Sequence, residues 1–101
     1  MDKRKEEKKQ RNKKDKEWSK RIKEIYEFKC AVCESKIRLN SHHIIPRENK
    51  AFRWKEANGI CLCAKHHKFS LELSPHRNPF MFFRFWGRNY QNKCKELIDL
   101  L

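Results

Sequence analysis

Three short stretches of the chain are dense in side chains that bind metal or move protons. They are Cys30-Ala31-Val32-Cys33, then Ser41-His42-His43-Ile44-Ile45-Pro46, then Asn58-Gly59-Ile60-Cys61-Leu62-Cys63-Ala64-Lys65-His66-His67. Two cysteines separated by two residues suit a knuckle whose thiolates reach one tetrahedral zinc, and Cys63-x-x-His66 supplies a second pair of the same spacing. Cys30, Cys33, Cys63 and His66 are therefore the candidate ligands of a structural zinc. A redox role for the first pair lacks the surrounding βαβ pattern. Cys61 could replace one member, but it lies two residues before Cys63 and on a strand would share its face; a small hydrophobe's packing role suits it better. Cys94, among lysines and a glutamate, reads as a free thiol. Adjacent side chains on a strand point to opposite faces, so His42 and His43 do different jobs unless the strand bends or ends, and Pro46 favours an end.

These groups need a scaffold. A chain of 101 residues with 38% hydrophobic content forms one small domain with a modest core, the size at which a metal or disulfide staple is usual. Five cysteines is an odd number, and no apolar segment follows the charged N-terminus. Metal binding in a reducing cytosol therefore fits better than a secreted disulfide framework. No stretch approaches the roughly 18 apolar residues of a membrane span. The formal charge of +13 is spread along the chain and points to a polyanionic partner, nucleic acid ahead of an anionic membrane.

Met1 to about Glu17 is almost wholly charged or amide-bearing, which predicts a flexible tail or a solvated helical extension able to make non-specific phosphate contacts. Residues 18–101 form the folded domain. Trp18, Ile22, Ile25, Tyr26 and Lys29 recur at helical spacing and predict an amphipathic helix docked on it. Ile37 to Ser41 alternates as a strand running into His42 and His43, and Pro46 to Asn58 is a polar loop anchored by Phe52 and Trp54. Gly59 to Leu62 is a short strand able to pair with the first, and Ala64 to about Leu71 reads as a helix with His67 near its start. Asn78 and Pro79 are an N-cap and first-turn pair for a helix ending near Trp86 and Gly87. The cluster Phe80, Met81, Phe82, Phe83, Phe85 and Trp86 is too dense for solvent and covers the core, with an aromatic wedge between bases as the lesser alternative. Asn89 to Leu101 is a last helix packed by one face through Leu97, Ile98, Leu100 and Leu101. The fold class is α+β, with a zinc-stapled strand–loop–strand–helix core over about 30–72 flanked by an N-terminal helix and by C-terminal helices over about 79–101.

His42-His43-Ile44-Ile45-Pro46, Asn58-Gly59-Ile60 and Leu62-Cys63-x-x-His66-His67 resemble the signature of the HNH endonucleases, whose ββα-metal finger holds a single catalytic metal. The resemblance covers about Cys30 to Phe69. It implies His43 as general base, His42 and His67 as ligands of the catalytic metal, and Asn58 as the residue that fixes the loop and orients His43. The chain departs from the pattern at His66, where the family commonly has cysteine. A Cys3His zinc set is chemically sound, though His66 and His67 could in principle exchange roles. His76 completes the metal site, contacts the scissile phosphate, or is an exposed loop histidine. Imidazole, with an ordinary pKa of about 6.5, is mostly neutral at pH 7 and can accept a proton from water. A divalent ion on two neutral histidines keeps open positions for phosphate and water. Arg47, Arg53, Arg84 and Arg88 are candidate phosphate contacts.

The implied function is hydrolysis of DNA phosphodiester bonds, with a structural Zn²⁺ and a catalytic Mg²⁺, Mn²⁺, Ni²⁺ or Zn²⁺. The alternative is a non-catalytic zinc-knuckle protein that binds DNA or RNA through charge. A zinc-stapled protein-interaction module leaves the basic excess unexplained, and only the nuclease employs His42, His43, Asn58 and His67 together. Free-standing fingers of this size resemble those of phages and mobile elements. That implies the cytoplasm of a bacterium or phage-infected cell, no membrane association, and specificity drawn from the flanks or a protein partner.

Overall fold

The computed structural model describes residues 2–101; Met1, at the head of the expected basic extension, lies outside them. Helix α1 spans Lys3–Ile25, strand β1 Leu39–His43, strand β2 Gly59–Cys63, helix α2 Pro79–Asn89 and helix α3 Gln91–Asp99. The run of Lys, Arg, Glu and Gln before Trp18 is helical because these straight-chain residues lose little rotamer freedom in a helix. Asp2 caps it, its carboxylate accepting the Arg4 N–H at 3.0 Å. Only the last two turns bury side chains, Trp18 and Ile22. The helix ends before Glu27 and Phe28, both in the left-handed region, so Lys29 lies past the stripe that was to include it.

Strands β1 and β2 pair antiparallel, from Leu39 opposite Cys63 to His43 opposite Gly59. β1 starts at Leu39 rather than Ile37, because Arg38 adopts a φ of +53°. β2 is buried along its length, with α1 pressed against it. A Cβ on Gly59 would come within 2.5 Å of the Ile22 side chain and 2.8 Å of Trp18, so only glycine permits this approach. The loop ends in a single tight turn, Glu56–Asn58.

The helix expected from Ala64 to Leu71 is one wide turn, Lys65–Phe69, closed by the Ser70 N–H on the Lys65 carbonyl at 2.7 Å. The Ser74 hydroxyl takes the His67 carbonyl at 2.7 Å, which a continuing α-helix would have used itself. α2 starts as expected, with the Asn78 side chain accepting the Met81 N–H, but runs through Gly87. That glycine has no positive φ, and the helix stops at Tyr90, whose hydroxyl donates to the Ala31 carbonyl at 2.5 Å. α3 consequently begins at Gln91 rather than Asn89.

Phe82 and Trp86 complete the core, whereas Phe80 is 78% exposed. The dense aromatic run thus buries only its inward stripe. Likewise Leu97 alone of the terminal aliphatics is buried, with Ile98, Leu100 and Leu101 exposed; Ile98 is one residue off the inner face, and Leu100 and Leu101 lie past the helix's last residue, Asp99. Among the described residues no helix is long and apolar enough to cross a membrane.

Candidate metal centres

Cys30, Cys33, Cys63 and His66 come together and are positioned to hold a metal ion. The knuckle is shaped by the Glu34 N–H on the Cys30 carbonyl at 2.9 Å and by Glu34 at a φ of +63°. Cys63 closes β2, and the turn after it returns His66. The Cys33–Cys63 sulfurs are 3.7 Å apart, and His66 Nδ1 is 3.4 Å from Cys63 Sγ and 3.8 Å from Cys30 Sγ. Zinc–sulfur bonds of about 2.3 Å and zinc–nitrogen bonds of about 2.0 Å at tetrahedral angles give edges of roughly 3.5–3.8 Å. These three edges are compatible with a zinc tetrahedron. Burial raises the Cys30 thiol pKa. At Cys63 burial is outweighed by hydrogen bonds from the His66 backbone and the neighbouring thiols, and the net shift is downward. Cys61 is fully buried outside this set, its thiol pushed up to about 11, mainly by burial.

A second cluster joins His42, at the end of β1, to His67 on the wide turn and His76 on the connection to α2. His42 Nδ1 lies 3.2 Å from His67 Nε2, and His76 Nε2 lies 3.1 Å from that same atom. With metal–nitrogen bonds of about 2.0–2.1 Å, donors at tetrahedral or octahedral angles stand roughly 2.9–3.4 Å apart, so both separations fit three imidazoles on one ion. Burial, then the other histidines of the trio, lower His42 to about 3. Burial, then His76 and Lys68, lower His67 to about 4. Both are neutral at pH 7, the form that ligates. His76 is exposed, so the trio opens to solvent on its side. Ser74 fixes the pair, accepting the His76 N–H at 3.2 Å while donating to the His67 carbonyl.

No family model, curated protein or solved structure matches this chain.

His43 is not one of the trio. It faces the other way from His42, stacked on Trp18 with ring centroids 3.9 Å apart and planes 7° from parallel. Its Nε2 is 2.9 Å from the Arg53 carbonyl. A carbonyl only accepts, so Nε2 carries the proton and the neutral ring keeps its lone pair on Nδ1. The ring is half-buried, and burial lowers its pKa against the opposing pull of that carbonyl.

Asn58 is fully buried. Its Oδ1 accepts the Ile45 N–H at 2.6 Å, and its Nδ2 donates to the Ile45 and Phe52 carbonyls at 3.0 Å each. It clamps the loop next to Arg53, whose carbonyl holds His43, and makes no side-chain hydrogen bond to His43 itself.

Asp15 grips the Arg53 guanidinium with two bonds of 2.9 and 2.7 Å, so this candidate phosphate contact is ion-paired within the protein, and it is the Arg53 carbonyl that meets His43. Arg47 is exposed beside it, whereas Arg84 and Arg88 share the exposed face of α2, and neither side chain makes a salt bridge among the described residues. Reading the sequence missed Asp15, Trp18's contact with His43, and Ser74. Asp15 had one signal, its position three residues before Trp18 on the same helix face.

Proposed function

We propose that this chain is a metal-dependent endonuclease of the HNH type, hydrolysing DNA phosphodiester bonds, with β1, β2 and the wide turn as its ββα-metal finger. The observation that carries the reading is the pair of adjacent histidines with divided roles. His42 is committed to a three-nitrogen set, while His43 is held by stacking and by a carbonyl that leaves Nδ1 as a base.

In this reading His43 Nδ1 takes a proton from the attacking water as the water adds to phosphorus and the 3′ oxygen departs. A positioned base of this kind contributes roughly 10²–10⁴-fold. His42, His67 and His76 would hold the divalent ion, which when bound supplies charge neutralisation at the phosphate and the leaving oxygen. Asn58 and Trp18 position His43. Cys30, Cys33, Cys63 and His66 hold a zinc that belongs to the fold. The thiolate ligands suit a reducing compartment, and we place the enzyme in the cytoplasm of a bacterium or a phage-infected cell.

The test is supercoiled plasmid incubated with zinc-loaded protein and Mg²⁺, Mn²⁺, Ni²⁺ or additional Zn²⁺ in turn, beside His43→Ala. Cleavage by wild type with loss in the variant is expected. Binding of DNA with no cleavage under any metal would overturn the proposal and leave the non-catalytic zinc-knuckle reading.

A further inference from the structure

Arg4, Lys8, Arg11, Asp15, Trp18 and Ile22 follow one line along α1, spaced alternately by four and three residues. At Trp18 and Ile22 this line is buried, and at Asp15 it grips Arg53 of the loop. Nearer the N-terminus it carries only cations. Arg4, Lys8 and Arg11 are exposed, and among the described residues none of them makes a salt bridge.

Because Trp18 stacks on His43, the line faces the side of the molecule where His43 lies. From Asp15 to Arg4 it extends about 16 Å, at ~1.5 Å per residue. No apolar side chain interrupts this basic stretch, so an apolar partner would find nothing to bury there. A polyanion would find an ordered row of charge. Arg4 and Arg11 are about 10 Å apart along the helix, the rise of roughly three phosphates of one duplex strand at ~3.4 Å each.

We propose that Arg4, Lys8 and Arg11 form a rail for the phosphate backbone of duplex DNA, holding the strand to one side of the bond at His43. The position relative to the cut rests on the nuclease reading; the binding of duplex by this face does not.

The experiment compares zinc-loaded wild type with two triple variants by fluorescence anisotropy on a 30-base-pair duplex across a salt series. One is Arg4→Gln, Lys8→Gln, Arg11→Gln. The other, Lys9→Gln, Lys13→Gln, Lys20→Gln, removes the same charge from exposed positions on the opposite face of α1. Glutamine keeps the helix propensity of both, and circular dichroism checks it. The rail variant should lose about one unit of log–log salt slope per phosphate contact removed, two to three in all, and bind about tenfold or more weakly near 100 mM salt. The opposite-face variant should stay within about twofold of wild type. In cleavage, the rail variant should raise KM and leave kcat unchanged. Equal weakening by both variants would mean that charge alone attracts DNA, and no weakening by the rail variant would mean the face is unused; either overturns the rail. Absence of cleavage in wild type would sink the nuclease reading, while the salt-slope difference would still decide the rail.

Discussion

His66 and His67 are consecutive residues that belong to two differently built centres. His66 completes a closed set of three sulfurs and one nitrogen at the foot of β2, while His67 joins an all-imidazole set open at His76. The wide turn at Lys65–Phe69 splays them apart. A closed set with thiolates ties the knuckle at Cys30 and Cys33 to the end of β2 and the turn after it, and its binding energy is folding energy. An open set of neutral nitrogens keeps room for exchangeable ligands. The protein thus places two clusters able to hold a metal, one closed and one open to solvent, on neighbouring residues.

The sharpest way to break this comparison is to remove one ligand from each centre. Cys30→Ala should lose zinc and the cooperative thermal transition together, since apparent zinc binding in such sites is worth about 10–16 kcal/mol. His67→Ala should lower the metal content from two equivalents to one and keep the transition, read by metal analysis and calorimetry. Equal loss of fold in both variants would erase the distinction.

The next effect concerns His43, the proposed base. His43→Ala should lower cleavage by roughly 10²–10⁴-fold, or about 3–5 kcal/mol, with both metals retained; single-turnover rates check it, and a rate within a few-fold of wild type would remove His43 from the chemistry.

Smaller effects separate packing from metal. Gly59→Ala forces a methyl against the fully buried Ile22 and should destabilise by about 1–3 kcal/mol in denaturant titration, with metal content unchanged.

Asp15→Asn should cost about 1 kcal/mol at pH 7, a bidentate but solvent-screened pair. Arg53's hydrogen bonds, against burial and with help from Trp54, hold the Asp15 carboxyl below its ordinary 3.8. A depressed carboxylate contributes stability that is fully present above its unfolded value and lost as pH falls through its folded one. The gap between wild type and variant should therefore close below pH 3.8; a gap constant from pH 7 to pH 2.5 would contradict the ion-pair account.

Much of this architecture was legible locally. The spacing of Cys30 and Cys33 and of Cys63 and His66 marked the zinc ligands, because two intervening residues set the reach of a knuckle. The alternation before His42 marked β1, and Asn78 with Pro79 marked the start of α2. The end of α2 was not legible, since Gly87 carries no signal of whether it will need a positive φ; Tyr90's bond to Ala31 sets the stop. The helix expected after Cys63 shrank to one turn because Ser74 claims the His67 carbonyl.

By itself the sequence determined which residues could bind metal, the two strands, the basic character of the chain and the division of labour that alternating strand faces impose on His42 and His43. Only the tertiary structure decided that His76 joins His42 and His67, that the Arg53 carbonyl and Trp18 hold His43, and that Asp15 pairs with Arg53. The physical reason is range. Spacing along a chain encodes geometry within a turn or a strand, whereas contacts between residues far apart in sequence exist only once packing of α1 and the loop against the sheet brings their backbones within a hydrogen bond's length.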